Sequence, residues 1–443
     1  MQHYKEFFKN KKITVMGLGI LGRGLGYTKF MAECGADLIV TDLKTKEQLA
    51  TSLKVLSKFK NIKFVIGEHR LEDFKNRDMI MKAAGVPFDS VYIAEAKKNK
   101  IPVEMDVSLF KKLAQEVKIV GVTGTRGKSM TTTLIYELLS KNLKNRKVYL
   151  GGNIRGVATL PLLKKVKPGD ILVCELDSWQ LQGFGDAKIS PDISVFTSFM
   201  PDHMNYYRGS MEAYFDDKAH IFRNQKKDDV LIIRPGMKEF INKEDVKGKL
   251  IVINKKSVAG WKFIVPGEHQ QENLACAVKV AEQFDIPINK IKKTVAEFKG
   301  VEGRLEFLKN YKGIKIYNDN NATTPEATIA GIEAVKTNKK NIVLLCGGAD
   351  KKLDLTNFVK IVNKNCKAVA LIPGSGTDVL LKDYELKVPY EIGKDFKEVV
   401  SKAIEFAKKG DIILFSPAFA SFGLFNNEYE RNDLFVKLIK KLK

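Results

Sequence analysis

The segment Gly121-Val-Thr-Gly-Thr-Arg-Gly-Lys-Ser129 lies between the apolar run VKIV and a long helix-forming stretch, and it constrains the fold more than any other part of the chain. A glycine-rich turn ending Gly-Lys-Ser, set between a strand and a helix, is the form of a phosphate loop. Glycines let successive backbone N–H groups curl around phosphate oxygens, and the helix N-terminus adds its positive dipole. On this reading Gly124, Thr125 and Gly127 form the cradle, Lys128 bridges the outer phosphates of ATP, and the Ser129 hydroxyl sits on Mg²⁺. The alternative is a bare glycine turn, against which the position of the Gly-Lys-Ser ending argues.

The rest of the chain repeats this strand–turn–helix grammar. KKITVMGLG, ADLIVTD, NIKFVIGE and MIMKAAG read as strands separated by helical stretches, and IPVEMDVSLFKKLAQE closes the series near residue 115. Beyond the phosphate loop, DILVCELDS and DISVFTSF lead to the helical ENLACAVKVAEQF, and a third series starts near GVEGRLEFL at residue 301. It contains IKIYNDN, NIVLLCGG, AVALIPG and DIILFSPA, apolar runs that suit buried parallel strands. Alternating strands and helices predict an α/β chain of three domains, residues 1–115, 116–300 and 301–443, each a largely parallel sheet with flanking helices. A length of 443 residues fits that number of cores.

Composition excludes several classes. No run approaches the roughly 18 apolar residues of a membrane span, and the charged opening MQHYKEFFKNKK runs into a strand rather than forming a secretory signal, so a cytoplasmic protein is expected. The five cysteines are scattered without a CxxC pair, as buried free thiols, and the five histidines show no zinc spacing. The net charge of +23 comes from lysines spread along nearly every segment with few interleaved aromatics. That pattern favours attraction for phosphorylated anions over nucleic-acid binding.

Four further features carry chemistry. Gly17-Leu-Gly19-Ile-Leu-Gly22 follows a strand, with Asp42 at the next strand end. It fits a nicotinamide-type turn, the diphosphate of a nucleotide-linked substrate, or a purely structural turn, and a downstream phosphate loop favours the second. Glu175 ends the apolar strand ILVC, where a carboxylate beside a nucleotide anchors Mg²⁺. His203 follows another strand in PDHMN, and Lys218 lies 15 residues further on. Singly, these two also read as a loop histidine and a solvated helix lysine.

Together these segments resemble the Mur ligase family, and within it the members that add D-glutamate. GVTGTRGKS, GGNIRG, CELDSWQL, PDHMNYY, GEHQQEN, GVEGRLE, YNDNNATTPEAT, LLCGGADKK and SPAFASFGLFNNEYER resemble its motifs in order along essentially the whole chain. The resemblance implies an N-terminal Rossmann-like domain for a UDP-linked substrate, a central P-loop ATPase domain and a C-terminal Rossmann-like domain that presents an amino acid. The implied activity is an ATP-dependent, ADP-forming ligase that adds D-glutamate to UDP-N-acetylmuramoyl-L-alanine through an acyl phosphate, in peptidoglycan precursor synthesis, acting as a monomer. By position, Gly19, Ile20, Leu21, Thr41 and Lys44 would contact UDP, and Asn153, Gln180 and His203 the muramoyl-alanine part. Ser129 and Glu175 would hold one Mg²⁺, and His203 with a carbamylated Lys218 a second. Asn273, Arg304 and Asp319 match ATP-side positions, and Thr323, Lys351, Ser421 and Phe422 those for the incoming amino acid. Lys128, His203 and Lys218 are the expected catalytic groups. Moving a phosphoryl group onto a carboxylate brings two anions together, which is why the site needs Mg²⁺ and cations such as Lys128 and Arg304.

The pattern departs from the family at Asn321, a usual lysine, Gly423, a usual aspartate, and Glu428, a usual phenylalanine. Asp177 replaces a usual serine, and Ala84-Gly85 lies where Ser-Pro-Gly is usual. A lost cation and a new carboxylate near an anionic acceptor favour, as the main rival, a related ligase with a different amino acid or another UDP-linked precursor. An oxidoreductase built on GLGILG would leave GTRGKS without a task, and a non-catalytic nucleotide-binding relative would have no need of Glu175, His203 and Lys218.

Overall fold

Three open sheets carry the chain, and the longest apolar runs of the sequence are their buried inner strands. The computed structural model describes residues 3–87 and 89–442. In the first sheet Lys12–Met16 is central, with Asp37–Asp42 then Ile62–Ile66 on one side and Met79–Lys82 then Val103–Glu104 on the other. All pairs are parallel. The strand order reverses beside Lys12–Met16, so the crevice that open α/β sheets use for ligands lies at the end of this strand, where Gly17 begins the glycine turn.

The second sheet runs Lys249–Val252, Val230–Ile233, Ile193–Phe196, Lys118–Thr123, Ile171–Glu175 and Val148–Gly152, again all parallel. Because Ile193–Phe196 and Ile171–Glu175 flank Lys118–Thr123, three loops leave one edge side by side. These are the phosphate loop, the Glu175 turn and the segment leading to His203.

The third sheet, Glu306–Tyr311, Ile314–Asn318, Ile412–Phe415, Ile342–Gly347, Cys366–Ile372 and Tyr390–Ile392, is mixed. Four pairings are parallel, but Glu306–Tyr311 turns back through Lys312-Gly313 and pairs antiparallel with Ile314–Asn318. The sheet is thus largely parallel, as expected, with one antiparallel exception at its edge: none of that strand's side chains is fully buried, and a two-residue turn leaves no room for a crossover.

By internal packing the chain forms two compact units, residues 1–258 with 272–294, and 259–271 with 295–443. The first contains the first two sheets and the second the mixed sheet. All five cysteines are free and buried. Among the described residues no helix is long and apolar enough to cross a membrane.

Candidate active site

The phosphate loop is shaped by two glycines at which a side chain would be strained. Gly124 has φ +140°, and a Cβ there would fall 2.1 Å from Thr197 Oγ1; Gly127 has φ +89° and begins the helix Lys128–Asn142. Thr125 and Arg126 bind the loop to the neighbouring strand end. The Thr125 N–H donates to Ser198 O at 2.8 Å, and its hydroxyl meets Met200 O at 3.1 Å. Lys128 Nζ donates to Gly124 O at 2.9 Å and Thr125 O at 3.2 Å, so its charge lies over the cradle. Asn273 closes the back wall: its Oδ1 accepts from the Thr131 hydroxyl at 3.0 Å and from Arg234 Nη2.

Lys218 belongs to the same cluster. It is 1% exposed on the helix Met211–Ala219, and its Nζ donates to Gly124 O at 3.1 Å. The reading of Lys218 as a solvated lysine is thereby overturned, because the helix turns that face onto the phosphate loop. Burial and then the neighbouring Lys128 hold its amine well below the usual lysine range. His203 is held below the usual histidine range by burial, assisted by Lys128 and Lys218 and opposed by Asp202. Its ring lies tilted against that of Trp179, with centroids 4.8 Å apart. Glu175 is 6% exposed at its strand tip. Among the described residues no three acids, histidines or cysteines form a ready metal cage; the cation ligands available here are of mixed type, a hydroxyl, a carboxylate, an imidazole and an amine.

At the end of the first sheet Asp42 organises the glycine turn. Its Oδ2 accepts from the Gly19 N–H at 2.8 Å and its Oδ1 from the Lys44 N–H at 2.9 Å. Both oxygens are thus engaged by backbone, which disfavours the ribose-binding role this acid plays in nicotinamide enzymes. Ile20 is exposed, and the Leu21 carbonyl accepts from the Gly156 N–H at 3.1 Å, joining the turn to the Asn153 loop. The Asn153 N–H in turn donates to Glu175 O at 2.7 Å. Two residues expected to face substrate are turned inward. Thr41 is fully buried at the end of its strand, its hydroxyl bonded to Val15 O and 2.9 Å from a His69 ring nitrogen. The Gln180 side chain closes a capping box with Asp177, which makes Asp177 the N-cap of the helix Ser178–Asp186.

In the second unit Asp319 is buried, accepting from Ser416 Oγ and the Leu305 N–H at 3.0 Å each. Burial pushes its carboxyl up to about 7, against the pull of Ser416 and Arg304. Lys351 Nζ donates to Thr323 Oγ1 at 3.1 Å, so two expected acceptor-binding groups meet. Ser421 is buried and Phe422 is 64% exposed beside it. Asn321 Nδ2 donates to Glu302 O at 3.4 Å.

Sequence reasoning missed Arg126, Asp202, Trp179 and Arg234. Arg126 and Asp202 were visible inside quoted motifs, but nothing in one sequence says that they meet. Arg234 follows the strand Val230–Ile233 without any motif, and only folding brings it to Glu272 and Asn273.

Three family models match along the chain. They are described as Mur ligase MurD-like, N-terminal domain, over residues 11–104, Mur ligase middle domain over 122–288, and Mur ligase, glutamate ligase domain, over 303–419. The UDP-N-acetylmuramoylalanine–D-glutamate ligase of Borreliella afzelii (strain PKo) is 36% identical, with 98% of each chain covered. The protein of the same name from Roseiflexus sp. (strain RS-1) is 33% identical over 97% of this chain and 98% of its own. Of solved structures, the UDP-N-acetylmuramate-alanine ligase MurC from Thermotoga maritima superposes with a TM-score of 0.63 at 20% identity, covering 98% of this chain and 100% of its own. The MurF ligase from the same organism in complex with ADP gives 0.60 at 17% identity, covering 99% and 97%.

Proposed function

The chain belongs to the Mur ligase family, and from that premise we propose that it joins D-glutamate to the alanyl carboxylate of UDP-N-acetylmuramoyl-L-alanine in peptidoglycan precursor synthesis. It is an ATP-dependent ligase. The donor carboxylate takes the γ-phosphoryl group of ATP, the acyl phosphate is attacked by the amine of the amino acid, and phosphate leaves from the tetrahedral intermediate. No protein nucleophile is needed. This reading carries with it a monomer working in the cytoplasm, and the domains 1–115, 116–300 and 301–443 divide the work into UDP-substrate, ATP and amino-acid binding.

The observation that carries the reading is the convergence of Lys128 and Lys218 on the one carbonyl of Gly124. The Lys128 ammonium beside a cradle of glycine N–H groups favours a polyanion at that point, with the buried Lys218 amine held at the same carbonyl. The residues present also fit two Mg²⁺ ions. Ser129 and Glu175 offer hard oxygen ligands for one, and the imidazole of His203, kept neutral, is available to a second. An ammonium at Lys218 would repel a cation. Burial favours its neutral amine, which can add to CO₂ with loss of a proton and become an anionic carbamate. When bound, Mg²⁺ neutralises the outer phosphates as the two anions approach. Lys128 holds the transferring group in place, Asn273 backs the cradle, and Asp42 keeps the glycine turn open to the donor's diphosphate. In the second unit Lys351 and Thr323 supply cation and hydroxyl for the acceptor's carboxylates.

The test is phosphate release from ATP with UDP-N-acetylmuramoyl-L-alanine, with and without D-glutamate, followed by the mass of the product. Release that needs both substrates, with a product heavier by one glutamyl residue, supports the assignment; release indifferent to the donor would end it.

A further inference from the structure

One ion pair joins the two loops that carry this chemistry and has no role in the reaction as described above. Arg126 lies between the glycines of the phosphate loop, and its Nη1 donates to Asp202 Oδ2 at 2.9 Å. Its backbone is fixed to the same neighbouring segment. The Arg126 N–H donates to Ser198 Oγ at 2.9 Å, and its carbonyl accepts from Thr197 Oγ1 at 2.6 Å and Ser198 Oγ at 3.0 Å. The other oxygen of Asp202, Oδ1, accepts from the His203 N–H at 3.0 Å. His203 holds φ +55°, a left-handed backbone uncommon for a residue with a Cβ. A continuous line of contacts therefore runs from the phosphate loop, through one guanidinium and one carboxylate, to the strained backbone of the histidine.

The geometry points to Arg126 as a positioning residue: through Asp202 it fixes the backbone, and with it the ring, of His203 beside the phosphate loop. It acts without touching the reacting atoms. The pair is half-buried and charge-assisted, so it resists solvent better than a surface ion pair does. Without the guanidinium Asp202 keeps the His203 N–H but loses its tie to the cradle, and the imidazole is free to drift from the place where the nucleotide's outer phosphates are held. A displacement of about an ångström in such a group costs on the order of a hundredfold in rate. The inference rests on the ligase reading for its kinetic consequence and on the contacts alone for its structural one.

Trp179 supplies a readout independent of turnover, since its ring lies 4.8 Å from that of His203. The other tryptophan, Trp261, is removed by Trp261→Phe in the full chain. In that background Arg126→Gln, Arg126→Lys, Asp202→Asn and the Arg126→Gln/Asp202→Asn double variant are compared. Arg126→Gln and Asp202→Asn are each expected to shift Trp179 emission in the protein without substrates. Each should also lower kcat for donor-dependent phosphate release by about tenfold or more, while KM for ATP stays within about threefold. The double variant should be no worse than either single, because both break one link. Arg126→Lys should recover part of the emission and of kcat. Unchanged Trp179 emission in both single variants, or losses that multiply in the double, would overturn the proposal. If Arg126→Gln does not fold, Asp202→Asn and Arg126→Lys still decide it. If the unsubstituted protein releases no phosphate with the donor, the ligase reading has failed, and the emission and ATP-affinity measurements judge the clamp by themselves.

Discussion

Asn273 lies so close behind Gly127 that a Cβ on the glycine would fall 2.5 Å from its Oδ1 and 2.8 Å from Arg234 Nη2. The turn of the phosphate loop is therefore shaped by a contact between residues far apart in the sequence.

Gly127→Ala combines that clash with a backbone at φ +89° that alanine adopts at a cost. The expected result is a stability loss of about 1–3 kcal/mol and an ATP affinity at least roughly tenfold lower. Calorimetric melting with a nucleotide-binding titration checks both; unaltered affinity would mean that ATP does not use this turn.

Lys218→Ala should cripple donor-dependent phosphate release by about a hundredfold or more. Acetate or formate should restore part of it by standing in for the lost carbamate, whereas Lys218→Arg should gain nothing from either. Equal behaviour of the two variants in the presence of formate would count against carbamylation. Lys128→Ala, which removes the cation from the cradle, should abolish ATP turnover with no rescue.

Asp319 gives a pH signature. Its carboxyl is raised by burial from an ordinary value of 3.8 to about 7 in the fold. Between those limits the folded chain keeps a proton that the unfolded chain has released, so its contribution to stability is full at low pH and is lost as pH rises through about 7. Asp319→Asn should remove this fall, a difference in slope of at most about 1.4 kcal/mol per pH unit. Urea unfolding of both proteins across that range measures it, and parallel profiles would contradict the raised carboxyl.

Asn321 stands where a lysine is usual in D-glutamate-adding ligases, and its amide donates to the Glu302 carbonyl. Restoring the cation with Asn321→Lys should lower KM for D-glutamate by roughly 5–30-fold, the equivalent of about 1–2 kcal/mol. An amino-acid panel run with both proteins locates the true acceptor. Preference for an uncharged amino acid, worsened by the lysine, would favour the rival ligase reading.

Local signals made much of this protein legible before folding. The apolar runs ending in glycine or carboxylate fixed the strands, because burial on both faces demands unbroken hydrophobic stretches. The Gly-Lys-Ser ending marked the phosphate loop, because curling backbone around phosphate needs glycine at set places. What stayed hidden were groups whose roles depend on neighbours distant in the chain. Lys218 read equally well as a solvated lysine, and neither the capping box at Gln180 nor the burial of Thr41 could be read from the residues beside them. The antiparallel edge strand Glu306–Tyr311 was likewise indistinguishable from a parallel one by composition.

The sequence alone determined the α/β class and the loops at which chemistry takes place, since these follow from periodicity and from glycine's freedom over a few consecutive residues. Only the tertiary structure decided which side chains lose their water. Desolvation is what turns Lys218 from an ammonium towards a neutral amine and Asp319 towards a protonated acid, and it is set by everything that packs around a group rather than by the residues beside it in the chain.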